Sequence, residues 1–271
     1  MTDSTLETVL RRDRWVVGGA IGIIAALAWS YVLWLANDMD MGGMDMTGFR
    51  MISTGLEMVM APAQAPWSAA EFAFTFAMWT VMMIGMMTPS AAPMILIYAR
   101  AGRMASAAGS PLAATGWFAA AYLAVWTGFA LAATIAQFAL GRFALLDPAM
   151  ASASNVLGGA LLVGAGLYQW TPLKHACLSQ CQSPLMFIQR HGGFRNSVAG
   201  ALRLGSEHGL YCLGCCWALM AILFVGGVMN VAWIAALSAL VLAEKVIPAG
   251  WLVSWIAGGM LTAAGVRLLL M

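Results

Sequence analysis

The chain has 271 residues, of which 62% are hydrophobic and 9% charged, and its formal net charge is +2. Soluble domains carry about 25% charged residues, so the composition excludes water as the main solvent of this surface and points to the bilayer. So small a charge, with no run of Lys or Arg to build a basic groove, also excludes nucleic acid as a partner.

A membrane span needs about 20 mostly apolar residues to cross about 30 Å of hydrocarbon. That ruler predicts seven spans, at Trp15–Ala36, Glu71–Ala99, Leu112–Leu140, Ser152–Trp170, Gly209–Met229, Val231–Ile247 and Gly250–Leu270. The expected fold is an all-α polytopic transmembrane helix bundle. Arg11, Arg12 and Arg14 precede the first span, which is too long for a signal-peptide core and lacks a small-residue cleavage site. It reads as an uncleaved anchor. With the N-terminus in the cytoplasm, ten of the 13 basic residues fall inside: Arg11, Arg12, Arg14, Arg100, Arg103, Lys174, Arg190, Arg195, Arg203 and Lys245. Arg50, Arg142 and Arg267 fall outside, so the positive-inside rule selects this orientation. Three units follow: an anchor helix (1–36), an external Met- and Asp-rich loop (37–66) and a helical membrane domain (67–271). Localisation in a bacterial inner membrane, in contact with lipid, is expected.

Thirteen of the 21 methionines lie in Met39–Met60 and Met78–Met94. The first stretch alternates Met39, Met41, Met44 and Met46 with Asp38, Asp40 and Asp45. Thioethers are soft ligands that select Cu(I) and need no deprotonation, while carboxylates concentrate cations, so this pattern suits capture of copper. On a helix the second stretch puts Met78, Met82, Met83, Met86, Met87, Ser90 and Met94 within an arc of about 180°. Pro89 and Pro93 each remove a backbone donor, which predicts a kink or opening with freed carbonyls that must be buried in protein or line a cavity. Such a helix serves either as core packing or as a relay for a soft ion. Glu71 is expected to favour the N-terminus of this helix, behind Ser68.

All five cysteines and all three histidines fall between His175 and Cys216, inside an expected cytoplasmic loop (Thr171–His208) and the fifth span. Cys177 and Cys181, just after His175, share a face if helical, and His208, Cys212, Cys216 and Met220 form an i, i+4 ladder with Cys215 beside it. A metal site, a redox pair and inert thiols are the readings this grouping allows. Thiolates bind Cu(I) and Zn(II), but these spacings miss the paired two-residue gaps of structural zinc sites and of thioredoxin-like motifs. His191, between Arg190 and Arg195, reads as a solvated loop residue. Glu244 and Lys245 are adjacent in a span, so they point about 100° apart and each needs a separate partner.

The Met82–Met94 run with its two prolines, the Cys177–Cys181 pair and Gly209-Leu210-Tyr211-Cys212 through Gly214-Cys215-Cys216-Trp217 together resemble a bacterial family of predicted metal-binding integral membrane proteins, domain of unknown function 2182. The likeness covers about 71–271. It implies an inner-membrane metal binder, with relatives that look like copper suppliers to copper enzymes. The combined expectation is a non-enzymatic copper(I) transporter or chaperone, with zinc the competing ion and a copper enzyme or soluble metallochaperone the partner. Its metal ligands are expected among Met39, Met41, Met44, Met46, Met82, Met83, Met86, Met87, His175, Cys177, Cys181, His208, Cys212, Cys215 and Cys216. A membrane thiol oxidoreductase and a structural subunit of a copper-enzyme assembly complex are the alternatives. In the leading reading the external methionines capture the ion, the Met-lined helix relays it and the cytoplasmic cysteines hold it.

Overall fold

The structure is a computed structural model in which residues 3–39, 49–53, 58–62, 66–105, 111–143, 145–147, 150–194 and 197–271 are described. Its helices are α1 (Asp3–Met39), α2 (Ala69–Ala105), α3 (Pro111–Arg142), α4 (Asn155–Tyr168), α5 (Pro172–Gln182), α6 (Pro184–Arg190), α7 (Val198–Ala221), α8 (Leu223–Gly226), α9 (Val231–Val246) and α10 (Gly250–Leu269). The fold is helical, as expected, with one addition. β1 (Phe49–Ser53) and β2 (Met58–Pro62) pair antiparallel within the stretch read as loop, with Met51 opposite Met60.

Five helical stretches among the described residues are long and apolar enough to cross a membrane: Trp15–Asn37, Ala69–Gly102, Ala114–Arg142, Val198–Gly226 and Gly250–Leu269. The other two expected spans correspond to α4, of 14 residues, and α9, of 16. At 1.5 Å per residue they reach about 21 Å and about 24 Å, short of the hydrocarbon thickness. The fifth span starts earlier than the sequence suggested. Ser197 caps α7 by accepting a hydrogen bond from Gly200 N, and the helix then runs through Arg203 and Glu207, which pair with each other at 2.9 Å. A hydropathy ruler begins where the apolar run begins, whereas a helix begins at its cap. The expected loop before His208 is therefore mostly helix. α5 and α6 each open on a proline, and Thr171 caps α5 by accepting from Lys174 N.

α2 is the hub, packed against α1, α3 and α9, while α3 lies along α7 and α5 along α7 and α9. Close approach of α3 and α7 depends on Gly205, where an added Cβ would collide with the carbonyl oxygen of Phe118. α4 and α10 meet through glycines spaced seven apart on both helices. A Cβ at Gly159 would lie 2.9 Å from Gly265 O, and one at Gly166 2.8 Å from Gly258 O. Small residues let backbones touch where lipid supplies no hydrophobic drive for helix association.

Candidate metal-handling site

Met78, Met82, Met83, Met86, Met87 and Met94 are all buried, so the arc read from helical periodicity faces the interior. α2 continues through Pro89 and Pro93 as a single helix. The carbonyl that Pro89 deprives of its donor, that of Gly85, accepts instead from Trp29 Nε1 of α1 at 3.2 Å. The next two carbonyls are also reached from other helices: Met86 O by Ser238 Oγ of α9 at 3.3 Å and Met87 O by Tyr122 OH of α3 at 3.3 Å. The carbonyls of the turn before Pro89 are thus supplied with donors from other helices, as a helix stripped of a backbone donor requires, while Pro93 itself is exposed. Glu71 sits in the first turn, with its backbone N–H donating to Ser68 Oγ at 3.1 Å.

Cys212 lies at the middle of α7 and turns toward this segment. Its Sγ receives the Lys245 ammonium at 2.8 Å and lies 3.1 Å from Tyr122 OH. Lys245 also donates to Ser90 Oγ at 3.0 Å, and Ser90 Oγ in turn donates to Met87 O at 3.0 Å. α3 and α9 therefore meet at the Cys212 sulfur of α7, and α2 is tied to the same junction through Ser90 and the Met87 carbonyl. One turn earlier His208 is enclosed by the rings of Phe118, Tyr122 and Phe187, and its Nδ1 is buried with no hydrogen-bond partner. One turn later the thiols of Cys215 and Cys216 both donate to the carbonyl of Cys212, at 3.0 Å and 2.9 Å.

α5 brings the remaining cysteines against α7. Lys174, Cys177, Leu178 and Cys181 form its buried face, so the shared face expected for the cysteine pair is present. A Cβ at Gly214 would sit 2.7 Å from Cys177 Sγ, so this glycine admits the sulfur. The Cys181 thiol is held well above its ordinary pKa, first by donating to the sulfurs of Cys212 and Cys215 and then by burial. Burial, with a smaller effect of Cys215, raises that of Cys177. All five cysteines are free. Among the described residues no three Cys, His, Asp or Glu side chains are already grouped to hold a metal ion. Two of the α7 thiols are turned back onto their own helix, so any multi-thiol site must close around its cargo.

Glu244 and Lys245 do find separate partners. Glu244 pairs with Lys174 of α5 at 2.7 Å, both side chains about 1% exposed, and accepts from Ser254 Oγ of α10 at 2.8 Å. Gln182 Nε2, at the far end of α5, donates to Glu244 O at 2.7 Å. α5 is therefore fastened at both ends to one residue of α9. Breaking a buried pair from one side costs about 3–5 kcal/mol, whereas replacing both charges by apolar groups is close to neutral. Glu244→Leu is expected to expose Cys177 and Cys181 to maleimide, and the double variant Glu244→Leu/Lys174→Met to restore their protection. Equal labelling of all three proteins would show that the pair does not hold α5 in place.

The other sequence candidates are placed less centrally. His175 is half-buried and off the cysteine-bearing face of α5. His191 is half-buried in the turn that closes α6, with Nδ1 2.8 Å from Phe187 O and its ring 4.2 Å from that of Phe187. Met41, Met44 and Met46 lie outside the described residues, and of Met39 only the helical backbone is described. Tyr122 carried no signal in the sequence, being ordinary in an apolar helix, and Met150 lies outside both methionine stretches. Met150 adopts φ 59° and directs its sulfur to Gln137 Nε2 at 3.1 Å, while Gln137 Oε1 accepts from Trp79 Nε1 at 2.6 Å.

A family model described as a copper chaperone, PpoB2, matches residues 76–268. The chain belongs to that copper-chaperone family. No curated protein and no solved structure matches it. The stretch shared with the copper chaperones begins just before Met78 and contains every Cys and every His, together with Ser90, Tyr122 and Lys245. It leaves out α1 and the Met- and Asp-rich segment, so the family assignment bears on the buried helix junction and not on Met39, Met41, Met44 and Met46.

Proposed function

We propose that this copper chaperone is an inner-membrane Cu(I) carrier, without enzymatic activity, in which cargo passes along the methionines of α2 to Cys212 and leaves through the cysteines of α5. The observation that carries this reading is the meeting of α3 and α9 at the Cys212 sulfur of α7, tied to α2 through Ser90 and the Met87 carbonyl in the methionine run. Thioethers Met82, Met83, Met86 and Met87 precede it, and the unpartnered His208 nitrogen and the Cys215 and Cys216 thiols flank it. All of these are soft or borderline donors suited to Cu(I). Cys181 faces Cys212 and Cys215, and Cys177 lies one turn earlier on α5, the most exposed of the five. A thiol-to-thiol hand-over then ends at α5, where a copper enzyme or soluble metallochaperone docks.

The reading keeps seven crossings, with α4 and α9 as short spans enclosed by their neighbours. Ser152 N, just ahead of α4, donates to Phe224 O at 2.7 Å, joining the start of α4 to the end of the α7–α8 stretch, and α4 runs antiparallel to α10 through their glycines. Lys174 and Lys245 are both buried in the protein and so say little about sidedness. The eight remaining basic residues on the N-terminal side, against three, still favour a cytoplasmic N-terminus. α5 then faces the cytoplasm, and the Met- and Asp-rich segment faces outward as the capture point.

Metal analysis of the reduced, anaerobic, detergent-purified full chain tests this function, combined with X-ray absorption at the copper edge. About one copper per chain in a mainly sulfur shell is expected. Zinc that Cu(I) does not displace would favour a structural site, and an absence of copper with a reversible disulfide among the five thiols would favour redox chemistry.

A further inference from the structure

The chain contains two lysines, Lys174 and Lys245, and buries both. Lys174 is matched by the Glu244 carboxylate, but Lys245 is not: among the described residues its ammonium meets Cys212 Sγ at 2.8 Å and Ser90 Oγ at 3.0 Å, with no carboxylate in reach. The neighbouring Glu244 is turned away and fully engaged by Lys174, Ser254 and its own backbone link to Gln182. From α3 the nearest polar group is Tyr122 OH, which addresses the same sulfur, and from α2 it is Ser90. A buried monovalent cation is thus held mainly by the sulfur that the proposed function assigns to another monovalent cation.

We propose that Lys245 is the placeholder cation of the copper position: its ammonium occupies the Cys212 sulfur in the empty chaperone, is displaced when Cu(I) binds, and drives release by competing for that sulfur. The inference rests on the reading of Cys212 as a copper ligand. In the exchange an N–H···S hydrogen bond breaks and a Cu–S bond forms. Cys212 enters the exchange as the thiolate that accepts from the ammonium; copper stays in the +1 state and the ammonium keeps its protons, so no oxidant, reductant or proton acceptor is required. Lys245 retains Ser90 as an anchor when it leaves the sulfur, which keeps the displaced charge within a few ångströms of the cargo. Two like charges that close, shielded from water, repel far more than they do in solution. A chaperone must let go as well as hold, and this arrangement limits how tightly the junction can retain its ion. The same charge gives a reason for a lysine without a carboxylate at a depth where ionisable groups are costly.

Lys245→Gln removes the charge and keeps a polar group between Ser90 and Cys212. It is expected to raise Cu(I) affinity about 10-fold or more, about 1.4 kcal/mol, and to slow transfer to a soluble Cu(I) chelator by a similar factor. Lys245→Arg, which keeps a permanent positive charge at the same position, is expected to show none of this gain in retention. A second measurement needs no folded variant. With two lysines in the chain, selective 13Cε labelling yields two side-chain signals, and Cu(I) loading is expected to shift one strongly and leave that of Lys174 in place. Unchanged or weaker retention in Lys245→Gln, or two lysine signals indifferent to Cu(I), would overturn the placeholder role while leaving copper binding at Cys212 intact. If the unaltered protein binds no Cu(I), or binds it equally well after Cys212→Ser, the ligand assignment fails and the placeholder with it.

Discussion

Cys212→Ser protein is expected to lose Cu(I) from the central site, with affinity falling by more than about 100-fold, beyond the about 10–100-fold that removing an outer partner of a metal ligand costs. The substitution is informative because it changes the ligand and little else. A serine oxygen can still accept from Lys245 and Tyr122, and the position is buried in the middle of α7, so the hydrogen-bonded junction of α2, α3, α7 and α9 persists. What disappears is a soft sulfur donor, replaced by a hard neutral oxygen that Cu(I) disfavours. Cys215→Ser and Cys216→Ser are expected to have smaller effects, since both thiols donate to the Cys212 carbonyl and must rotate before they can bind cargo. Titration with a competing Cu(I) chelator, alongside thermal unfolding in detergent, separates ligand loss from misfolding. Equal affinities for Cys212→Ser and the unaltered protein would move the cargo site away from the junction.

The double variant Met82→Leu/Met86→Leu is expected to fold normally, bind Cu(I) at Cys212 within about 3-fold of the original affinity, and load about 10-fold more slowly from a weak external Cu(I) donor. Leucine and methionine have similar volumes, and such exchanges in packed interiors cost less than about 1.5 kcal/mol each. Both positions are buried on the inward arc of α2, about 6–12 Å along the helix before Ser90. They can therefore serve as stepping points without belonging to the final site. Stopped-flow loading reads the rate, and an equilibrium titration reads the affinity. Unchanged loading would mean that these sulfurs are packing alone, and that cargo reaches Cys212 by another way.

Much of this architecture was legible because it is local. The Met arc follows from a 100° turn per residue, and all six methionines of the run are inside. The need of Glu244 and Lys245 for separate partners follows from their adjacency, and they have them. The concentration of Cys and His between His175 and Cys216 marked the region that the junction draws on. The Pro89 and Pro93 positions indicated where carbonyls would need outside donors, although not that Trp29 would supply one.

What stayed hidden depends on residues far apart in the chain. A window of hydropathy averages over a helix and cannot see that Arg203 and Glu207 pair, that Lys174 is neutralised by Glu244, or that α4 and α9 are short. The sequence placed the external methionines and the cysteines at opposite ends of a path with the Met78–Met94 helix as its bridge, but loops and spans were the only coordinates available to it and did not say where the bridge meets the cysteines. Tertiary structure sets Cys212 beside Met87 and Ser90, through Lys245 and Tyr122, whose contacts with these groups span 33 to 155 positions. Composition and periodicity by themselves determined that this is a helical chain with buried soft donors. Which donors meet was decided only by the packing of α3, α7 and α9 on α2, since helix contacts depend on small residues such as Gly205 whose partners no local pattern reveals.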